Sequence, residues 1–402
     1  MTASTEPPPR IATLDAVRGF AVCGILLMNI VAMGLPTFAY LHPTFYGTEG
    51  PADWAAWGFN FVFSDGKMRA LFTMLFGASM VLIAERAEAQ GESAAETHYR
   101  RIFWLFIFGM IHAWLIWFGD ILVQYAAGGA MAYLFWRWHP RALWVVFAAM
   151  MALYLAHFWG QHLQALTQAG PPPDNAAIAA REIALYREGF EGAFKARARM
   201  TALFQTVIIP ESLPETIGFI ALGIIFYRNG FLTGAWGRAR YLSVIAVGYL
   251  VAAPLHLPLA WLLVRNGFSP SISPLAEGAG LLLRPFVALA HAAAIILLVQ
   301  SGAMRWLIVR LEAAGRMAFS NYLGTSLVTT TIFYGYGFGL YGLLSRAELY
   351  IVVLGVWALI LLWSKPWLDR YLHGPLEWLW RTLARGKVQP LQRPALPPAR
   401  QL

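Results

Sequence analysis

Ten runs of apolar residues, each close to the length of a membrane-spanning helix, constrain this chain more than any other feature of its sequence. A spanning α-helix needs about 20 mostly apolar residues. Because the runs are continuous rather than alternating, they favour helices over the strands of a barrel. They cover residues 16–35, 67–83, 102–118, 121–136, 143–158, 204–227, 241–264, 280–300, 317–334 and 349–363. The sequence therefore predicts an all-α fold, a polytopic transmembrane helical bundle of about ten spans.

Charged residues are scarce, and their placement predicts which way the bundle faces. They make up 13% of the chain, against about 25% in soluble proteins. Most Lys and Arg residues fall in every second loop and in the C-terminal tail, while the loop at 36–51 has none. Cytoplasmic loops are enriched in these residues, so both termini are predicted to lie inside. The net charge of +9 then reflects contact with membrane lipids rather than with nucleic acid.

Four segments divide the chain: an N-terminal transmembrane region at 1–159, a loop at 160–203, a C-terminal transmembrane region at 204–388 and a tail at 389–402. The tail is rich in Pro and is predicted to be disordered. The loop carries several cations although it is predicted to lie outside. Three prolines at 171–173 precede Asp174, a plausible helix N-cap. Apolar residues then recur at three- and four-residue spacing, so we expect one amphipathic helix there, lying on the bilayer or covering a site.

Ionisable residues inside apolar runs are costly in a membrane, at about 2.5–3.5 kcal/mol or more each near its centre. One group opens the first span with Arg18, and Asn29 lies about 16 Å deeper at 1.5 Å per residue. Another places Lys67 and Arg69 at the outer start of the second span, where a helix N-terminus can receive an anion. Each group also has a simpler interpretation, as a helix cap or an interfacial anchor.

A third group combines His112 with Asp120. His112 lies eleven residues beyond Arg101, near the predicted middle of the membrane. A neutral histidine there can accept a proton at physiological pH. Asp120 is expected at the outer face, paired with Lys67 or Arg69. The alternatives are a histidine that only joins two helices and an aspartate in an interfacial turn.

Polar residues also mark two later spans. Arg316 and Asn321 begin the ninth span, where they can bind a substrate or hold helices together. His291 lies near mid-depth in the eighth span, as a core residue or a second candidate base. The sequence has one Cys and no His-Glu-x-x-His pattern, so no metal site is predicted.

Motifs along nearly the whole chain resemble those of the YeiB-type family of bacterial inner-membrane proteins. The opening Leu-Asp-x-x-Arg-Gly pattern at 14–19 is followed by Gly-Ile-Leu at 24–26 and Asn-Ile at 29–30. Further on come Gly-x-x-His at 109–112 and Trp-x-Gly-Asp-Ile-Leu at 117–122. The C-terminal part, a domain of unknown function (DUF418) in that family, carries Gly-Arg-Met-Ala at 315–318, Asn-Tyr at 321–322 and Gly-Pro-Leu-Glu-Trp-Leu-Trp-Arg at 374–381.

The opening pattern also resembles two groups of membrane acyltransferases, the acyltransferase-3 group and the heparan-α-glucosaminide N-acetyltransferase-like group. The resemblance implies transfer of an acyl group from cytosolic acyl-CoA to an acceptor. In the acyltransferase-3 pattern a His stands eleven residues after the Arg, where this chain has Asn29. An amide cannot act as a general base, so His112 is the candidate base, with His42 and His291 next in line.

These inferences lead to one expectation and two alternatives. We expect an acyltransferase of the bacterial cytoplasmic membrane in which acyl-CoA or acetyl-CoA docks near Arg18 and Arg316, without a metal. His112, Asp120 and Asn29 would be catalytic. The residues that would bind substrate are Arg18, Lys67, Arg69, Arg316 and Asn321. The acceptor would be lipid-linked or extracytoplasmic. The alternatives are a transporter of a small amphiphile and a membrane scaffold, and the sequence leaves open whether the chain forms a homodimer.

Overall fold

The computed structural model describes residues 11–167 and 174–393, and in that part of the chain the fold is helical without a β-strand. The predicted all-α fold is therefore confirmed. The helices are α1 (Ala12–Gly34), α2 (Phe38–Leu41), α3 (Pro51–Phe59), α4 (Lys67–Ala89), α5 (Ala94–Leu115), α6 (Leu122–Ala132), α7 (Pro140–Thr167), α8 (Asn175–Arg187), α9 (Phe190–Leu203), α10 (Ile209–Arg228), α11 (Arg238–Ala246), α12 (His256–Arg265), α13 (Ser273–Ser301), α14 (Arg305–Arg316), α15 (Ala318–Phe333), α16 (Leu349–Arg370) and α17 (Pro375–Arg385). Short π-helical turns continue α3, α9 and α11.

Each of the ten predicted spans lies on a helix, and seven helical stretches are long and apolar enough to cross a membrane. The seven are Ala12–Gly34, Pro51–Ala89, Pro140–Thr167, Phe190–Arg228, Arg238–Arg265, Ser273–Ser301 and Leu349–Arg370. The other three runs correspond to α5, which carries two arginines and two histidines, and to α6 and α15, which have 11 and 16 residues. The number of spans and their orientation remain predictions.

Two glycines let α1 and α14 cross at backbone contact. A Cβ on Gly19 would lie 2.0 Å from the carbonyl oxygen of Leu311, and one on Gly315 would lie 1.9 Å from that of Asp15. Small residues at such crossings allow helices to approach closely in a membrane. The crossing joins the opening motif to the Gly-Arg-Met-Ala motif and brings Arg18 and Arg316 to one side of the bundle.

The loop at 160–203 differs from its prediction in its helices, since α7 continues to Thr167 and two further helices follow. Asp174 is the N-cap of α8, since its carboxylate accepts a hydrogen bond of 3.0 Å from the backbone N–H of Ala177. The expectation of a single amphipathic helix is wrong, because Gly189 (φ +118°) breaks the segment into α8 and α9. The ring of Tyr186 packs between Tyr334 and Tyr341, so α8 is docked on the protein. The prolines at 171–173 lie outside the described residues.

The first part of the predicted disordered tail is ordered. Residues 389–393 turn back along α17, where the carbonyl oxygen of Gln389 accepts a hydrogen bond of 2.6 Å from the indole of Trp378. The backbone of Leu372 donates to Leu391 at 2.8 Å. The prediction of disorder is therefore wrong for this stretch, because these contacts satisfy its backbone. Residues 394–402 lie outside the described part of the chain.

Candidate functional site

A cavity of about 1280 Å³ opens among α1, α4, α5, α14, α15 and α17, and we call it the basic cavity. Eight cationic side chains line it against four carboxylates. The cations are Arg18, Arg86, Arg100, Arg101, Arg316, Arg381, Arg385 and Lys387. The carboxylates are Asp15, Glu92, Glu96 and Glu377. Its mouth is formed by residues of the predicted cytoplasmic loops, and its inner end is apolar and aromatic. The arrangement suits an anion with an apolar extension.

The opening motif supplies a fixed cation to this cavity. The guanidinium of Arg18 donates to Asp15 at 2.9 Å, within the same helix. It also donates to the hydroxyl of Ser79 on α4 at 2.8 Å. Arg316 lines the cavity from α14, and the close helix crossing places it on the same side as Arg18. Two of the three arginines that the sequence predicts to bind substrate, Arg18 and Arg316, therefore line the same cavity.

The C-terminal motif at 374–381 closes one side of the basic cavity. Glu377 of α17 accepts hydrogen bonds from the backbone of Phe319 (2.8 Å), the backbone of Ser320 (3.0 Å) and the Ser320 hydroxyl (2.5 Å), and so caps the N-terminus of α15. Burial raises the pKa of Glu377, while these hydrogen bonds oppose the rise. The indole of Trp380 donates to the carbonyl of Arg101 at 3.0 Å, and the guanidinium of Arg101 lies 4.2 Å from its ring.

His112 and Asp120 form a buried pair beyond the inner end of the cavity. Their side chains are 1% and 2% exposed, and His112 Nδ1 lies 2.7 Å from Asp120 Oδ2. The other carboxylate oxygen accepts a 2.9 Å hydrogen bond from the backbone of Val123 at the start of α6. His112 Nε2 is buried and has no hydrogen-bond partner among the described residues. A carboxylate at Nδ1 holds the proton there and leaves Nε2 free to accept one.

Asp120 was expected to pair with Lys67 or Arg69, and that expectation is wrong. The chain turns sharply after α5, and residues 116–121 fold back so that Asp120 reaches His112 from the same turn. Gly109 makes room for it, because a Cβ there would lie 2.9 Å from Asp120 Oδ1. The geometry is that of a carboxylate that orients a histidine.

Tyr322 lies beside the basic cavity, His112 and the void that Asn29 lines, although it was not among the predicted site residues. It lines the basic cavity, and its ring centroid lies 5.3 Å from that of His112. It also lines a small void of about 10 Å³ together with Asn29 and Thr325. Its hydroxyl accepts a hydrogen bond of 3.2 Å from the backbone of Ile121. The sequence signal was its place in the Asn-Tyr motif beside Asn321.

Asn321 lies away from the cavity and joins three helices. Its amide donates to the carbonyl of Ala314 (3.1 Å) and to the hydroxyl of Ser364 (3.0 Å), and its oxygen accepts from the indole of Trp363 (2.8 Å). It is buried and does not line the basic cavity. This geometry fits the alternative in which the residue holds helices together.

Lys67 and Arg69 belong to a different group of side chains. Lys67 donates to the backbone carbonyl of Phe61, and Arg69 forms an ion pair of 2.9 Å with Glu215. We call the whole group the second charge cluster. Its members are Asp65, Lys67, Arg69, Glu215, Glu277 and Arg284. Sequence analysis missed Glu215 and Glu277, and the signal for Glu215 was a carboxylate inside the apolar run at 204–227, four residues after Glu211.

The other candidate bases lie elsewhere. Both ring nitrogens of His291 are engaged, with the carbonyl of Phe63 (2.8 Å) and the hydroxyl of Tyr249 (2.6 Å). His42 Nδ1 lies 2.9 Å from the hydroxyl of Thr44, and burial lowers the pKa of His42. In residues 11–167 and 174–393, no three His, Cys, Asp or Glu side chains come together in a way that could hold a metal ion.

Comparisons with known proteins agree with the motifs. A family model described as "Protein of unknown function (DUF418)" matches residues 226–387. The chain is 31% identical to the uncharacterized protein YeiB of Escherichia coli (strain K12) over 95% of this chain and 98% of that protein. It is 30% identical to the uncharacterized protein YxaH of Bacillus subtilis (strain 168) over 96% of both chains. No solved structure matches the chain. The predicted resemblance to the YeiB-type family is thereby confirmed, and the chain belongs to the YeiB family, which carries the DUF418 domain.

Proposed function

We propose that this protein is an acyltransferase of the bacterial cytoplasmic membrane that takes acyl-CoA into the basic cavity from the cytoplasm. The observation that carries the proposal is the cavity itself, with eight cations against four carboxylates and an apolar inner end. Its volume of about 1280 Å³ exceeds that of most small-ligand pockets, which hold about 300–1,000 Å³. Coenzyme A is a large ligand with several phosphate charges and an extended arm that ends in the thioester.

The lining suits each part of such a donor. Arginine binds phosphate through paired, charge-assisted hydrogen bonds, and arginines gather at the mouth and along α17. Phe72, Leu75, Phe76 and Leu105 line the apolar part and offer contacts to the acyl end. The thioester would then lie near Tyr322, between His112 and Asn29.

The chemistry would use the His112–Asp120 pair as general base. His112 Nε2 takes the proton of the acceptor hydroxyl or amine while that oxygen or nitrogen bonds to the thioester carbon. The carbon–sulfur bond breaks, and the proton passes to the departing thiolate of coenzyme A. The Asn29 amide would donate to the carbonyl oxygen as charge develops on it. Because Tyr322 separates His112 from the cavity, the step requires this ring to move.

Transport of a small polar solute is the second candidate, and the second charge cluster favours it. Six ionisable side chains come together there, on segments that belong to apolar helical stretches. Such groups in membrane proteins often mark substrate and ion pathways.

The experiment is calorimetric titration of the purified protein in lipid nanodiscs with coenzyme A, acetyl-CoA and dephospho-CoA. We expect coenzyme A and acetyl-CoA to bind, dephospho-CoA to bind more weakly, and Arg18→Gln and Arg381→Gln to weaken binding. Lys195→Gln is the matched control, because Lys195 is an exposed cation on α9 and does not line the cavity. Absence of coenzyme A binding by the wild type would overturn acyl transfer and leave transport as the stronger candidate.

A further inference from the structure

The second charge cluster is built from α4, α10, α13 and the turn that precedes α4. Glu215 of α10 accepts from Arg69 of α4 at 2.9 Å through one oxygen and from Arg284 of α13 through the other. Arg284 also lies 3.7 Å from Glu277 of its own helix. The carboxylate of Glu215 is thus the centre that holds two arginines.

Two members of the cluster have spare hydrogen-bonding capacity. Asp65 and Lys67 are only two residues apart, yet neither forms an ion pair within 4.0 Å among the described residues. Asp65 accepts from the hydroxyl of Tyr40 at 2.5 Å, and the buried Lys67 donates to a single backbone carbonyl. An ammonium has three donors. A buried charge without a counter-charge is costly, so a pair of opposite charges held apart points to a ligand that lies between them.

Two further polar atoms in the same region have no partner in the described part of the chain. They are Nε of Arg284 and the hydroxyl of Ser64, and both residues are at least nine-tenths buried. Burying a polar group without a hydrogen bond costs about 1–3 kcal/mol by mutational measurements. These atoms add donor and acceptor capacity next to Asp65 and Lys67.

The backbone is shaped to bring these groups together. Gly66 has φ +70°, and a Cβ on it would lie 2.2 Å from Arg284 Nε. The turn at Asp65–Gly66, between the π-helical turn at Asn60–Ser64 and α4, therefore lets the guanidinium lie against the backbone. Single π-helical turns are frequent at functional sites.

The cluster is reachable, and it lies far from the mouth of the basic cavity, while Phe72 at the cavity's apolar inner end is one helical turn from Arg69. The side chains of Arg69 and Glu277 are 29% and 37% exposed. Arg69 and the cavity residue Arg86 stand at opposite ends of α4, about 25 Å apart at 1.5 Å per residue. The cluster therefore belongs to the predicted extracytoplasmic half of the bundle.

We propose that the second charge cluster is a binding site for a zwitterionic ligand with an ammonium group and an anionic phosphate or carboxylate. The ammonium would pair with Asp65 and Glu277, and the anion with Lys67 and Arg69. The three cations and three carboxylates of the cluster cancel, so an anion or a cation alone would leave an uncompensated charge in a sheltered place. A zwitterion offers one charge to Asp65 and the opposite charge to Lys67, and it adds no net charge to the cluster. The site does not depend on acyl transfer, since a transporter would use it equally.

Two kinds of ligand carry this pair of charges: a zwitterionic phospholipid headgroup and a soluble zwitterionic molecule. The first arm of the test titrates glycerophosphoethanolamine, ethanolamine and glycerophosphate into protein in phosphatidylglycerol nanodiscs. The second arm measures by native mass spectrometry whether phosphatidylethanolamine is retained in preference to phosphatidylglycerol. We expect the zwitterion in at least one arm to bind at least about thirtyfold more tightly than either single-charge fragment or the anionic lipid. Binding in the second arm alone identifies the lipid headgroup as the source.

The variants are Asp65→Asn and Lys67→Met, with Lys195→Met as the matched control on an exposed lysine. We expect each cluster variant to lose zwitterion binding while coenzyme A binding and the size-exclusion profile stay unchanged, which shows that the protein is folded. Measurable and equal binding of glycerophosphate and glycerophosphoethanolamine in the first arm would overturn the proposal. So would failure of both arms, or unchanged zwitterion affinity in a folded Lys67→Met protein. Coenzyme A binding is scored separately, so failure of this site and failure of the proposed function are distinguishable.

Discussion

The basic cavity and the second charge cluster use the same residue types in opposite ways. In the cavity, cations outnumber carboxylates by two to one around a volume of about 1280 Å³. In the cluster, equal numbers of cations and carboxylates are packed against one another, with Glu215 between Arg69 and Arg284. An excess of one sign attracts a ligand of the other sign from water, whereas a balanced group in a sheltered place selects a ligand without net charge. This difference in charge is why we propose different ligands for the two sites.

The largest effect is expected at the His112–Asp120 pair, which lies beyond the inner end of the basic cavity. His112→Ala should lower acyl transfer by about 10²- to 10⁴-fold, because it removes the general base. The measurement is turnover with labelled acetyl-CoA and a panel of acceptors. Asp120→Asn should show a comparable loss, since the amide no longer fixes the proton on Nδ1. His291→Ala is the control, because both of its ring nitrogens are engaged elsewhere. Turnover of His112→Ala at the wild-type rate would place the base elsewhere.

The second largest effect is expected on the stability of the fold, to which the second charge cluster contributes. Glu215→Gln removes the charge between two arginines and should destabilise the protein by about 3 kcal/mol or more, because buried charges lose their partner. The measurement is the free energy of unfolding in a reversible detergent titration. Glu191→Gln, at an exposed pair with Lys195, should leave that free energy unchanged. If Glu215→Gln unfolds like the wild type, the arginines are not held by this carboxylate.

A smaller loss of stability is expected from a change at Glu377, where α17 borders the basic cavity. Glu377→Ala removes the cap of α15, and loss of a helix cap costs about 0.5–2 kcal/mol. The cavity wall should loosen with it, so coenzyme A affinity should fall in the same titration. Glu92→Ala is the control, because Glu92 is an exposed carboxylate of the same cavity and caps no helix. Equal stability of Glu377→Ala and Glu92→Ala would contradict the capping role.

These sites differ in how much of them the sequence could predict. The length of the apolar runs predicted the long helices but not α14 or α17, and Asp174 was correctly expected to cap α8. The pairing of Asp120 with His112 was missed, because it depends on the turn after α5 and not on helical spacing. The break at Gly189 was missed because apolar spacing continues across it. A site role for Tyr322 could not be predicted, since its place between the basic cavity and the small void beside Asn29 depends on how α1, α14 and α15 cross.

The smallest effect separates the two sites by their response to salt. Coenzyme A affinity should fall as ionic strength rises, because the basic cavity carries an excess of one charge and its mouth is exposed. Zwitterion affinity should change much less, because the cluster is balanced and largely buried. Both titrations are run at low and high sodium chloride. A steep salt dependence of zwitterion binding would contradict the balanced-charge interpretation.

The central claim is that the basic cavity faces the cytoplasm while the second charge cluster faces the opposite side, and cysteine labelling tests it most directly. The chain has a single cysteine, Cys23, which is buried, so Cys23→Ser gives a cysteine-free background. Into it are introduced Glu277→Cys at the cluster and Arg385→Cys at the cavity. With a membrane-impermeant maleimide, Glu277→Cys should label in intact spheroplasts, and Arg385→Cys should label only after lysis. Labelling of both positions from the same side would contradict the account.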